Sequence, residues 1–123
     1  MVTNTERVTQ ESSKAITTTD VARKLGKEGE VAEGITNPKK QIESISGTAT
    51  RRFPDELLHD ERILKEVKNV STLSYTNQLK DFNLWAQREG YDFVLAVREG
   101  ATLSKPLLEE IKNGTIIIKN IGE

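Results

Sequence analysis

The segment YDFVLAVRE, residues 91–99, constrains the fold of this chain more than any other stretch. Its centre is a near-continuous apolar run of the length of a strand, far below the roughly 18 residues that cross a membrane. A run of this kind is typical of a strand that is buried on both faces, whereas a half-exposed strand alternates apolar and polar residues. The chain must therefore supply covering elements for two sides of a sheet.

The rest of the chain alternates between helical and extended patterns, which predicts an α/β domain with a mixed central sheet flanked by helices. Close turns between the first three strands favour an antiparallel meander. We see no internal repeat. The predicted elements, in chain order, are a helix at 19–34, strands at 41–47, 48–58 and 63–70, a helix at 74–90, a strand at 91–99, a helix at 102–114 and a strand at 115–121.

Local signals support the ends of the predicted helices. Ser74 is expected to cap the middle helix and Gly90 to end it, while Ser104 is expected to cap the last helix. Two glycines three residues apart in the first helix, Gly26 and Gly29, lower its intrinsic helix propensity. They would also let another backbone approach this helix closely.

The length of 123 residues predicts one domain, which we place at 19–123. Residues 1–18 are rich in Thr, Ser and charge, and we interpret them as a linker or a loosely ordered lead-in. They lack the apolar stretch of a signal peptide, so the chain is expected to be soluble and not to direct its own export. The absence of cysteine and the single histidine, His59, argue against disulfides and ordinary zinc sites.

The net charge of −1 argues against a non-specific nucleic-acid coat protein, since such proteins usually carry a basic surplus. It leaves room for a local basic cleft, because the field depends on where the charges lie. Arg51 and Arg52 in the second predicted strand, with Lys39 and Lys40 in the preceding turn, are the candidate phosphate contacts.

Three polar residues of the predicted strands point to chemistry. Asp55 follows Pro54 in the second strand, whereas Glu66 and Lys68 lie two apart in the third and share one face. If the HDER turn pairs these strands, two carboxylates and a lysine converge at the end of a hairpin. Magnesium ions favour such carboxylate oxygens, and the lysine can orient or deprotonate a water molecule or stabilise charge on a phosphate. The alternative is a surface ion pair worth about 0–1 kcal/mol.

The spacing of Pro54-Asp55 and Glu66-Val67-Lys68 resembles the motif of the PD-(D/E)xK nucleases. Their restriction-endonuclease-like core has the order α-βββ-α-β, which the first six predicted elements share, and this chain adds a helix before a last strand. A narrower resemblance covers residues 44–121. The segments SGTATRRFPD, EVKNVSTLSYTNQLKDF and LSKPLLEEIKNGTIIIKNI resemble restriction-endonuclease-fold toxin domains. Such domains lie at the C-termini of bacterial polymorphic toxins, including those of contact-dependent growth inhibition.

This resemblance implies roles for individual side chains. Asp55 and Glu66 would hold Mg²⁺ or Mn²⁺, and Lys68 would position or activate the attacking water. Gln78 would match the polar residue that the family places in the following helix. Glu30 would match a first-helix glutamate that often completes the metal site, and Glu28 or Glu33 could take that place instead.

The resemblance also implies a function and partners. The chain would be a metal-dependent nuclease at the tip of a larger secreted or cell-surface-delivered toxin, acting in the cytoplasm of a target bacterium. DNA is favoured as the substrate, and tRNA is the alternative. A cognate immunity protein would protect the producing cell. A rival hypothesis of another class is a non-catalytic interaction module on the same scaffold.

Overall fold

The structure is a computed structural model that describes residues 18–123. The lead-in proposed for residues 1–18 lies almost entirely outside the described residues, and its boundary with the domain stays a prediction. The helices are α1 (Thr18–Ala32), α2 (Asn77–Glu89) and α3 (Lys105–Lys112). The strands are β1 (Ile42–Glu43), β2 (Arg51–Arg52), β3 (Glu56–Leu58), β4 (Ile63–Lys68), β5 (Thr72–Leu73), β6 (Asp92–Val97), β7 (Thr102–Leu103) and β8 (Ile117–Asn120). No helix of this part of the chain has the length and apolar character that a membrane crossing requires.

A mixed four-stranded sheet in the order β3-β4-β6-β8 forms the centre of the domain. The hairpin β3–β4 is antiparallel, with Leu57 opposite Leu64. The pairs β4–β6 and β6–β8 are parallel, which requires the crossovers that α2 and α3 supply. The α/β class and the mixed sheet expected from the sequence are confirmed.

Helices cover both faces of this sheet, as the apolar run of β6 predicts. Gly29 of α1 lies against Val67, whereas Gln78 of α2 contacts Lys68, and neighbouring strand residues point to opposite faces. The main apolar core forms on the α2 side. It comprises Leu64 and residues 93, 95 and 97 of the sheet, packed on Leu79, Phe82, Trp85 and Ala86 of α2 and on Leu107 of α3.

The two glycines of α1 have different roles. A Cβ atom on Gly29 would lie 3.1 Å from Val67 Cγ1 and 3.1 Å from Asn69 Cβ, so a side chain at this position would push these neighbours away, and glycine favours the close packing of α1 on β4. Asn69 then donates a hydrogen bond to the Leu25 carbonyl, which fixes the same contact. Gly26 has no atom within 4 Å of such a Cβ and borders a pocket. The expected close approach therefore occurs at Gly29 only.

The predicted three-strand meander is wrong in its details. The second strand is interrupted at residues 53–55, because Pro54 has no N–H to donate to a ladder. Its first half, β2, pairs with β1 in a separate two-stranded sheet, and its second half, β3, joins the central sheet. The short parallel pair β5–β7 was not anticipated, since two-residue strands carry no periodic signal.

The helix ends are partly as predicted. Gly90 ends α2 in the left-handed conformation, with φ of 75°. Thr76, not Ser74, is the N-cap of α2, and its hydroxyl accepts a hydrogen bond from the Leu79 N–H at 3.2 Å. Ser104 occupies the N-cap position of α3, yet its hydroxyl accepts from the Tyr75 N–H instead. The Ser104 hydroxyl therefore connects the start of α3 to the residue that precedes the N-cap of α2.

A buried carboxylate, Asp81, ties the small β1–β2 sheet to α2. It accepts hydrogen bonds from Ser44 Oγ at 2.6 Å, the Ser46 N–H at 2.8 Å and Arg52 Nε at 2.8 Å. Burial alone would raise the pKa of Asp81, but these donors outweigh burial and lower it to about 2. The ion pair between Asp81 and Arg52 is therefore part of the fold.

Because the pKa of Asp81 is lower in the folded chain than in the unfolded chain, Asp81 stabilises the fold above about pH 4, and this contribution disappears as the pH falls towards 2. We expect Asp81→Asn to reduce the free energy of unfolding by at least about 2 kcal/mol at pH 7, and by much less at pH 2.5. Urea unfolding at both pH values measures the difference. Asp60→Asn, at an exposed position in the hairpin turn, is the control and should stay within about 0.5 kcal/mol of wild type. A pH-independent loss in Asp81→Asn would contradict the assignment.

Candidate active site

The β3–β4 hairpin brings Asp55 and Glu66 together. Asp55 directly precedes β3, and the register of the hairpin places it beside the second half of β4. The two carboxylates are fixed by exchanged hydrogen bonds: the Asp55 N–H donates to Glu66 Oε1 at 3.0 Å, and the Val67 N–H donates to Asp55 Oδ2 at 2.8 Å. Both residues are buried, at 8% and 3% exposure. The hairpin therefore holds two carboxylates side by side in a water-poor setting.

Lys68 completes this arrangement from the same face of β4. Its Nζ lies 3.2 Å from Glu66 Oε2 and donates a hydrogen bond of 2.7 Å to Gln78 Oε1. Gln78 occupies the second position of α2, two residues after the Thr76 cap, so the start of that helix orients the lysine. The ammonium group is thus held between a strand carboxylate and a helix amide.

The electrostatics of the pair favour binding of a cation. Burial is the main reason why the pKa of Glu66 rises to about 8, and the charge of Asp55 raises it further. Lys68 and the Asp55 N–H act in the opposite direction without cancelling these effects. An additional positive charge beside the pair would therefore stabilise the ionised form of both carboxylates.

A second lysine, Lys39, supplies such a charge. Its Nζ forms an ion pair with Asp55 Oδ1 and another with Glu30 Oε1 at 3.2 Å. Burial would lower the pKa of Lys39, but Asp55 first and Glu30 second raise it. The sequence predicts Lys39 only as part of a basic patch. A lysine just after the Asn37-Pro38 turn is a weak signal, because its position depends on the path of the loop that follows α1.

The structure separates the three acidic candidates of the first predicted helix, of which Glu33 lies one residue beyond the end of α1. Glu30 borders the same pocket as Asp55, Glu66, Lys68 and Gln78. Glu28 lies on another side of the helix, and Glu33 is buried against Lys65 and Lys119. Successive helical residues are rotated by about 100°, which distributes these three glutamates around the axis. Among the three, only Glu30 reaches the pocket.

The pocket also has an apolar rim. Ala22 and Gly26 of α1 line it at helical spacing with Glu30, and the exposed side chains of Phe53 and Val70 line it as well. Phe53 is 47% exposed although it is aromatic and lies two residues before Asp55. No pattern in the sequence singles out Phe53, and its exposure beside the pocket is visible only in the folded chain.

The two predicted phosphate contacts lie outside this pocket. Arg52 is bound to the buried Asp81, as described above. Arg51 is exposed on β2, where it pairs with Glu43 in the register of the small sheet. His59 also lies elsewhere, in the hairpin turn, with its Nδ1 atom 2.6 Å from the Tyr91 hydroxyl.

The donor set suits the Mg²⁺ or Mn²⁺ expected from the sequence. Magnesium is commonly held by one or two carboxylates, with water and phosphate oxygens as the other ligands. Asp55 and Glu66 provide two adjacent carboxylates, and the lysine ammonium against Asp55 shows that a cation fits there. Within residues 18–123 no cluster of three or more His, Cys, Asp or Glu side chains is arranged to hold a metal. A third protein ligand would require Glu30 to leave Lys39.

Comparison with known proteins agrees with this architecture. A family model described as restriction endonuclease fold toxin 7 matches residues 26–107, which include the hairpin, Lys68 and Gln78. Searches of curated proteins and of solved structures give no significant match. The matched region spans about two thirds of the chain and contains most of the central sheet. The chain therefore belongs to the family of restriction endonuclease fold toxins.

Proposed function

We propose that this domain is a metal-dependent endonuclease that hydrolyses phosphodiester bonds of nucleic acid. The observation that carries the proposal is the interlocked pair of Asp55 and Glu66, with Lys68 held beside it by Gln78. A surface ion pair would not need two buried carboxylates, one accepting the Asp55 N–H and the other accepting the Val67 N–H. Membership of a nuclease-fold toxin family supports the same reading.

Each side chain has a role in this proposal. Asp55 and Glu66 would hold the divalent cation, and Glu30 would add a ligand directly or through water. When bound, such a cation supplies Lewis-acid polarisation of the phosphate and of a water molecule. Lys68 orients that water, takes its proton, or stabilises charge on the phosphate. Gln78 keeps the ammonium of Lys68 directed at the pocket.

DNA is the favoured substrate, because most enzymes of the PD-(D/E)xK superfamily cut DNA. tRNA is the alternative, since shape-selective RNA recognition does not require a strongly basic protein. The exposed ring of Phe53 offers a surface on which a nucleobase next to the scissile phosphate could stack. Arg51, exposed on β2, is the better of the two predicted arginines for a phosphate outside the pocket, because Arg52 is bound to Asp81.

The biological setting follows from the toxin family. We propose that the domain is the toxic part of a larger secreted polypeptide, that it acts in the cytoplasm of a target bacterium, and that a cognate immunity protein blocks it in the producing cell. The net charge of −1 does not select an acidic or a basic immunity protein.

The proposal predicts cleavage that depends on a divalent cation. Purified protein with Mg²⁺ or Mn²⁺ should degrade plasmid DNA or total tRNA, and EDTA should abolish the reaction. Asp55→Asn keeps the volume of the side chain but removes the charge, and we expect it to lower the rate by at least about 100-fold. Gel analysis of both substrates in parallel, with a time course for each protein, measures the effect.

Each outcome has a distinct meaning. Cleavage of only one substrate identifies the substrate class. Cleavage that persists in EDTA would contradict the metal dependence, and full activity of Asp55→Asn would contradict the site. If both substrates stay intact with every metal, the nuclease proposal is wrong, and the non-catalytic interaction module becomes the better hypothesis.

A further inference from the structure

Lys39 binds carboxylate oxygens of the pocket that would serve as ligands of a metal ion. Of the two Asp55 carboxylate oxygens, Oδ2 accepts the Val67 N–H, and Oδ1 faces the Lys39 ammonium. The same ammonium contacts Glu30 Oε1 at 3.2 Å. A single lysine therefore binds both the hairpin carboxylate and the α1 carboxylate of the candidate site.

The charges of the pocket show why this lysine matters. Glu30 and Asp55 bring two carboxylates that Lys68 does not contact, since the Lys68 ammonium lies against Glu66 and Gln78. Lys39 bridges these two carboxylates and so acts as their counter-ion. A divalent cation at Asp55 and the Lys39 ammonium would repel each other at contact distance, so both cannot occupy this position.

Lys39 has a route out of the pocket. Its side chain is 44% exposed, and the residue lies in the loop between α1 and β1, outside any helix or strand. Rotation of its long side chain towards solvent would free Asp55 Oδ1 and Glu30 Oε1 together. The move requires no change in the backbone of the sheet.

We propose that Lys39 is a tethered competitor of the divalent cation: its ammonium bridges Glu30 and Asp55 in the metal-free protein and must withdraw before a metal binds there. This inference rests on the proposed nuclease function and adds that Lys39 regulates the binding of its metal. Lys39 sets the metal concentration at which the site fills, and its withdrawal releases Glu30 as a further ligand.

Isothermal titration calorimetry with Mn²⁺ tests this proposal on the full 123-residue chain without nucleic acid. We expect Lys39→Met to bind Mn²⁺ at least about tenfold more tightly than wild type. Lys40→Met is the matched control, because it removes the same charge from the same loop, from a residue that borders another pocket. It should change the affinity by no more than about twofold, since an exposed charge is screened. Lys39→Arg retains the positive charge and should keep the weaker binding of wild type.

Thermal unfolding gives a second readout. In EDTA, Lys39→Met should melt below wild type, because Glu30 and Asp55 lose their counter-ion. Saturating Mn²⁺ should raise its melting temperature by more than it raises that of wild type. This additional rise in melting temperature should vanish when Asp55→Asn is added to Lys39→Met, since the carboxylate for which Lys39 and the metal compete is then absent.

Equal or weaker Mn²⁺ binding by Lys39→Met overturns the competitor role, as does an equal gain in affinity with Lys40→Met. The failure of this inference is separable from that of the nuclease proposal. Calorimetry reports on Lys39 whether or not any substrate is cut, and cleavage of DNA or tRNA by wild type reports on the enzyme whether or not Lys39 competes.

Discussion

Replacement of Lys68 by methionine is expected to lower the rate of nucleic-acid cleavage by about 10²–10⁴-fold, the usual contribution of a positioned acid–base group. Methionine preserves much of the aliphatic stem of the lysine, so the packing along β4 should survive. What disappears is the ammonium group held 2.7 Å from Gln78 and 3.2 Å from Glu66. Single-turnover cleavage at saturating metal isolates the chemical step from metal binding.

Lys68→Arg distinguishes the possible roles of this residue. An arginine keeps the positive charge but does not lose its proton at any accessible pH. If Lys68 only stabilises charge on the phosphate, Lys68→Arg should retain more activity than Lys68→Met. If it takes a proton from the attacking water, both variants should be equally slow.

Lys112→Met is the control for the loss of a positive charge, because Lys112 is exposed at the end of α3, outside the candidate pocket. Its cleavage rate should stay within about twofold of wild type, as expected for a screened surface charge. Far-ultraviolet circular dichroism and melting curves show whether each variant is folded. A folded Lys68→Met protein with wild-type activity would exclude Lys68 from the mechanism.

The second large effect concerns stability. Glu33→Gln is expected to reduce the free energy of unfolding by about 3–5 kcal/mol at pH 7, because it removes one partner of a buried ionic cluster. The Glu33 side chain is only 1% exposed and lies between Lys119 Nζ, at 2.9 and 3.0 Å, and Lys65 Nζ, at 3.3 Å. It also accepts the Gly122 N–H. One carboxylate thus connects the end of α1, two strands and the C-terminal turn.

The pKa of Glu33 reflects the same contacts. Burial acts to raise it, but the Gly122 N–H and the two lysines outweigh burial and hold it below the usual value. The glutamine variant would leave two ammonium groups next to an amide, and desolvation of those charges would no longer be compensated. Lys65 and Lys119 retain some contact with water, at 18% and 26% exposure, which places the expected loss towards the lower end of the range.

Urea unfolding followed by the fluorescence of Trp85 measures this loss. Glu28→Gln is the control, since it makes the same chemical change at an exposed position of α1, the helix that directly precedes Glu33. It should alter the free energy of unfolding by less than about 0.5 kcal/mol. A Glu33→Gln protein as stable as that control would show that the cluster contributes little to folding.

How much of the fold was predictable differs between elements. The helix at 77–89 carries a long helical periodicity and the strand at 92–97 a near-continuous apolar run, and both elements lie close to the predicted positions. The segment at 48–58 was misread as one strand, since its residues favour extended structure although Pro54 divides it between two sheets. The sequence pattern indicates which residues favour a strand, but the partner of that strand depends on contacts between residues far apart in the chain.

The candidate site divides in the same way. The proximity of Asp55, Glu66 and Lys68 follows from one hairpin with a short turn, which is local in sequence and so could be expected. The choice of Glu30 over Glu28 and Glu33 depends on the rotation of α1 against the sheet, which the contact of Gly29 with Val67 decides. The ion pair between Arg52 and Asp81 joins residues 29 positions apart, and no pattern in either segment predicts it.

The sequence by itself determined the α/β class, the buried central strand and the hairpin that unites a carboxylate pair with a lysine, because these depend on periodicity and on neighbours across one turn. Only the tertiary structure decided where the charges find their partners. It placed Lys39 on Asp55 and Glu30, and it buried Glu33 among two lysines. The physical reason is that an ion pair depends on distances of a few ångströms between side chains, which are set by how helices and loops pack and not by their spacing in the chain.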